Sequence, residues 1–79
     1  MESEKKLLDD INSGSRAAMH RLYERYVGYA MAVALRYVPM RDDAEDVVQD
    51  SFIKVFSGIS KFEYRGEGAL QAWLLRIVT

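Results

Sequence analysis

Asp46, Gln49 and Asp50 stand three and four positions apart. On a helix that spacing gathers side chains on one face, and Ile53 continues it. Two carboxylates held there repel each other mildly, and a cationic partner would relieve the repulsion. The competing reading is an ordinary solvated acidic face. Metal binding or acid–base catalysis by the pair would need a further ligand or base, and the neighbouring sequence supplies none. A second cluster is Lys61-Phe62-Glu63-Tyr64-Arg65-Gly66, with Trp73 shortly after it. Aromatic rings interleaved with basic side chains suit single-stranded nucleic acid. Each base can stack on a ring for about 1–3 kcal/mol, the cations meet phosphates, and a glycine lets a ligand approach the backbone. The alternative is that Phe62 and Trp73 join the last two helices as core residues. Tyr64, between Glu63 and Arg65, is then the aromatic expected at the surface.

Other chemistry is largely excluded by composition. Zero Cys and a single His in 79 residues leave no disulfide, no cysteine-ligated zinc and no histidine metal cluster. Phosphate-cradling glycine loops and nucleophile elbows are absent as motifs. The expectation is a non-enzymatic chain without a cofactor. The lack of Cys fits a reducing cytoplasm, the expected compartment. Its longest run without a charge, Tyr26–Leu35, falls far short of the ~20 apolar residues that span a bilayer, so no membrane insertion is expected. His20 reads as a boundary residue of a helix, and Tyr23, Tyr26, Tyr29 and Tyr37 as core and rim. Arg16, Arg21, Arg25 and Arg36 read first as a solvated helix face and second as phosphate contacts.

The formal charge of −1 conceals a segregation. Ser13–Arg41 carries five Arg against Glu24 alone, Asp42–Asp50 holds five acids and no base, and Ser51–Thr79 has four bases against two acids. Screening limits each patch to a reach of about 8 Å at physiological salt. A polyanion can therefore use a basic face while the acidic segment meets something else. Complementing the helix dipole accounts for Asp42, Asp43 and Glu45, but not for Asp46 and Asp50, which lie deeper in the helix.

These side chains are positioned by helices, since one Pro and five Gly are too few for a turn-rich β-protein. Leu7, Leu8 and Ile11 mark a short first helix that breaks at Asn12–Ser15. Ser13 or Ser15 then caps a long amphipathic helix carrying Met19, Leu22, Tyr23, Tyr26, Ala30, Val33, Ala34 and Tyr37 at three- and four-residue steps. Pro39 stops it at Val38. Asp42 is expected to cap a third helix, with Glu45 completing a capping box. The buried stripe of that helix is Ala44, Val47, Val48, Ser51, Phe52, Val55 and Phe56, and Gly58 is its expected stop. An irregular segment, Ile59–Gly68, leads to a fourth helix with Leu70, Trp73, Leu74 and Ile77. The expected fold is all-α: a compact bundle of three main helices plus a short N-terminal one. No stop signal closes the last helix at Thr79, so residues 1–79 read as one domain cut from a longer protein.

In order and spacing, Asp43 through Phe56, then Lys61-Phe62, Arg65-Gly66-Glu67 and Ala72-Trp73-Leu74-Leu75-Arg76-Ile77, resemble domain 2 of extracytoplasmic-function (ECF) sigma factors. These are promoter-recognition subunits of bacterial RNA polymerase. The resemblance implies that Asp46, Gln49, Asp50 and Ile53 dock on the clamp helices of the polymerase's largest subunit, whose Arg side chains would be the missing cations. It also implies that Lys61, Phe62, Tyr64, Arg65 and Gly66 capture a base flipped from the −10 non-template strand. Trp73 and Arg76 on the following helix would face the same DNA. An anti-sigma factor is a further implied partner, and the −35-binding domain lies outside these residues. Three departures stand out. Glu63-Tyr64 looks inserted, Gly68-Ala69 replaces hydroxyl residues and implies a weakened cap, and Leu74 replaces a second Trp and implies a weaker melting wedge. The competing class is a small helical module that binds only protein.

Overall fold

Two serines open the first two helices of the computed structural model, which describes residues 2–79. Ser3 Oγ accepts from the Lys6 N–H to start α1 (Glu4–Asn12), and Ser15 Oγ accepts from the Ala18 N–H to start α2 (Arg16–Tyr37). Both satisfy N–H groups that a helix start leaves free. α2 ends where Pro39 requires, with Val38 extended at φ −128°, ψ 98°. α3 spans Arg41–Gly58, a 3₁₀ turn follows at Ile59–Lys61, and α4 spans Ala69–Val78. The described residues form no strand.

α3 departs from expectation at both ends. Its N-cap is Met40, without a side-chain hydrogen bond, so Asp42 sits inside the first turn and no capping box forms. Asp42 and Asp43 there stabilise the helix through its dipole. Glu45 turns instead to Arg41, at 3.2 Å. Gly58 is no left-handed stop, because its φ of −103° carries the chain on into the 3₁₀ turn. That turn buries Ile59 and ends where Phe62 becomes extended.

The core is built from steps of four. Ala18, Leu22, Tyr26, Ala30 and Ala34 line one face of α2, and Leu70, Leu74 and Val78 line one face of α4. Ala44, Val48, Phe52 and Val55 come from α3, and Leu7, Leu8 and Ile11 from α1. Such stripes close only when each helix covers the next. α2 packs against all three other helices, and α4 lies across both α2 and α3. The Tyr series divides accordingly. Tyr26 is buried, Tyr23 packs edge-on against Phe52 at 4.9 Å, and Tyr29 and Tyr37 lie on the surface. Tyr37 thus leaves the apolar face assigned to it, since α2 has run past the helices that cover its earlier turns. Leu74 is fully buried and faces the core.

Candidate nucleic-acid interface

Between the 3₁₀ turn and α4 the chain is irregular, and two glycines give it its path. Gly66 and Gly68 adopt φ 125° and 93°, left-handed values that an L side chain resists. Gly68 is also the N-cap of α4, where it has no side chain to offer. The cap comes from the other end of the molecule. Glu4, only 1 % exposed, receives the Gly68 N–H at 2.8 Å and the Leu70 N–H at 3.1 Å on Oε1. Its Oε2 accepts from the Gln71 N–H at 3.1 Å and from the Tyr26 hydroxyl at 3.0 Å. A carboxylate buried this deeply is tolerated because charge-assisted hydrogen bonds and the positive helix end compensate it. The expected weak cap at Gly68-Ala69 is therefore a strong cap built from α1. Burial pushes the Tyr26 phenol well above its ordinary value, and its hydrogen bond to Glu4 adds to the rise.

A second set of contacts holds the same loop. The Tyr64 hydroxyl donates to Glu67 Oε2 at 3.1 Å, while Glu67 Oε1 accepts from the Glu4 N–H at 3.4 Å. Arg25 approaches Glu67 Oε1 at 3.7 Å, donates to the Glu2 carbonyl at 2.6 Å and lies over the Tyr26 ring at 5.2 Å. Tyr64 is thus half-buried and tethered rather than free at the surface. Partial burial raises its phenol, with Glu67 adding to the effect. Two of the arginines read as a solvated face are engaged. Arg21 is tied to Glu2 and Asp10, each at 3.1 Å, and Arg25 belongs to the loop support. His20 is exposed and 2.9 Å from Glu24.

Phe62 and Trp73 stack at 4.8 Å with their planes 33° apart, and both are half-buried. These rings pack on the core and remain partly exposed. The indole lies over Gly58, where an added Cβ would touch it at 3.5 Å. Lys61, Arg65 and Arg76 are exposed. Arg65 pairs with Glu63 at 3.2 Å, both four-fifths exposed, and no ion pair engages Lys61 or Arg76 among the described residues. Stacked rings flanked by cations are brought together at the start of α4. Asp46, Gln49, Asp50 and Ile53 are all exposed along α3, with Ile53 an apolar side chain at 65 % exposure. A cavity of about 280 Å³ opens next to them between α2 and α3, lined by Tyr23, Val27, Met31, Arg41, Glu45, Val48 and Gln49. Among the described residues, no His/Cys/Asp/Glu cluster could hold a metal and no helix is long and apolar enough to cross a membrane.

Glu4 is the residue that sequence reasoning missed. Its partners lie 22 to 67 positions away, and nothing local separates it from Glu2. The one available signal was a glycine start to α4 with no capping side chain of its own.

Comparison with known proteins agrees with this architecture. The chain is 39 % identical over 75 residues to the ECF RNA polymerase sigma-E factor of Haemophilus influenzae, which covers 95 % of this chain and 38 % of that protein. The sigma-E factors of Salmonella typhimurium and Escherichia coli K12 are 38 % and 37 % identical over 71 residues, or 90 % of this chain. The chain thus spans well under half the length of these relatives. An NMR structure of an engineered region 2 of sigmaE in complex with GTAAAA superimposes with a TM-score of 0.81 at 31 % identity, covering 98 % of this chain and 82 % of that one. The sigma-70 region 2 family model matches residues 22–79, which include both the acidic face of α3 and the aromatic loop before α4. By sequence and by fold, the chain belongs to the sigma-70 region 2 family.

Proposed function

We propose that this chain is the part of an ECF-type sigma factor that docks on the RNA polymerase clamp helices and captures an unstacked base of the −10 non-template strand. The observation that carries this reading is the separation of two chemistries on one small surface. Phe62 and Trp73 stack beside the exposed cations Lys61, Arg65 and Arg76, while α3 presents Asp46, Gln49, Asp50 and Ile53 to solvent. The similar solved structure is a complex with GTAAAA, which supports single-stranded DNA as the ligand of the first surface. Trapping a base on the loop would offset an unstacking cost of a few kcal/mol. Docking on Arg-bearing clamp helices gives Asp46 and Asp50 the cations that their spacing calls for. The inserted Glu63-Tyr64 pair shapes the loop, since Tyr64 braces Glu67 from within it.

The test is a fluorescence titration of the 79-residue chain with labelled single-stranded GTAAAA at several salt concentrations. The parent is expected to bind with an affinity that falls as salt rises, and Lys61→Glu combined with Arg76→Glu to weaken binding about tenfold or more. A parent chain that binds no single-stranded DNA even at low salt would overturn the DNA half of the proposal and favour a module that binds only protein.

A further inference from the structure

We infer that Glu4 is the positioning residue of the DNA-capture loop, so that the N-terminal helix controls how well the −10 strand is held. The inference rests on the function proposed above. Glu4 lies outside residues 22–79, the segment matched by the family, yet its carboxylate is the only side chain that caps α4 among the described residues. Gly68, Leu70 and Gln71 all donate to it, and these amides set where the loop ends and where Trp73 and Arg76 begin to project. The Glu4 N–H also reaches Glu67, which holds Tyr64. One residue of α1 thereby fixes the loop at both its capping end and its aromatic middle. A helix start with its own Ser or Asp would hold α4 locally. Here the hold depends on α1 staying docked against α2, through Leu7, Leu8 and Ile11 in the shared core.

The chemistry gives Glu4→Gln a specific signature. An amide has one acceptor oxygen where the carboxylate has two. Placed with its oxygen toward Gly68 and Leu70, the amide turns its NH₂ toward the Gln71 N–H, and Tyr26 can rotate its hydroxyl to accept. Gln71 should lose its partner first. Hydrogen exchange followed by NMR is therefore expected to quicken about tenfold at Gln71, less at Gly68 and Leu70, and not at Val48, Phe52 or Val55 in α3. Titration with single-stranded GTAAAA is expected to show about fivefold weaker binding than the parent. Tyr26→Phe, which keeps a ring in the core and all three backbone donors, is expected to change binding less than about twofold.

Faster exchange confined to Gly68–Gln71 with unchanged DNA affinity would overturn the positioning role. Faster exchange throughout α3 would also overturn it, by showing a general loss of stability. If Glu4→Gln does not fold, Glu4→Asp decides, since its side chain is one methylene too short to reach all three donors: quicker exchange at Gln71 with weaker binding supports the role, and any other result refutes it. A parent chain that fails to bind GTAAAA sinks the proposed function itself, whereas a parent that binds while Glu4→Gln binds equally well sinks this inference alone.

Discussion

Tyr26 and Glu4 illustrate how one residue's charge state is set by residues remote in sequence. The phenol is buried among apolar side chains and donates to a carboxylate. Both effects favour its neutral form, and burial is the larger. In the unfolded chain Tyr26 ionises near its ordinary value of 10.0, so the unfolded state releases a proton there that the folded state keeps. The resulting stability is fully present below about pH 10 and is lost as pH rises toward the higher folded value. Chemical denaturation between pH 8 and 11 is expected to show stability falling above about pH 10, with a shallower fall in Tyr26→Phe. Equal slopes in the two proteins would mean that other groups dominate the alkaline limb.

At the level of the element, α3 presents two opposite faces. Ala44, Val48, Phe52 and Val55 hold it in the core, and Asp46, Gln49, Asp50 and Ile53 are left free by the same periodicity. The Ser51 hydroxyl, buried on the inner side, turns back to the Val47 carbonyl at 2.7 Å and needs no further partner. Because Asp46 and Asp50 make no ion pair among the described residues, their removal should leave folding nearly intact. Asp46→Lys with Asp50→Lys is expected to shift stability by no more than about 0.5 kcal/mol per site. Binding to isolated polymerase clamp helices should weaken by about 2–5 kcal/mol. Clamp binding at parental strength in a pull-down or by calorimetry would refute docking through this face. Unchanged melting together with lost binding would support it.

For the whole molecule, the balance is narrow. A chain of 79 residues folded into a body of 36 × 24 × 23 Å buries a modest share of its surface, about 60 % for a domain near this size. Each core side chain therefore carries a large part of the total, which for domains is about 5–15 kcal/mol. Leu74 is fully buried on α4, and Leu74→Ala is expected to cost about 2–5 kcal/mol, a marked drop in melting temperature by circular dichroism. Leu74→Trp is expected to destabilise as well, since the core has no room for the ring. A Trp variant that melts like the parent would show that position 74 can turn outward.

Much of this was legible in the residues as they stand in line. The four helices, a serine cap on α2 at position 13 or 15, the stop before Pro39 and the outward acidic face of α3 follow from periodicity and local backbone chemistry, whose partners lie within one or two turns. The start of α3 departs from the local pattern of Asp42 and Glu45 because the helix begins two residues earlier, with Met40 as its N-cap. Gly58 signals a possible stop, but a helix can equally tighten into a 3₁₀ turn when Ile59 has a core to enter. The neighbours Glu63 and Arg65 predict an exposed Tyr64, whereas its tether to Glu67 depends on how the loop closes. The buried carboxylate of Glu4 belongs to the same class. Its hydrogen bonds join α1 to α4 across most of the chain, and no spacing rule links positions 4 and 71. Periodicity along the chain determines which side chains face inward. Which buried charge meets which orphan helix end is decided when the helices pack.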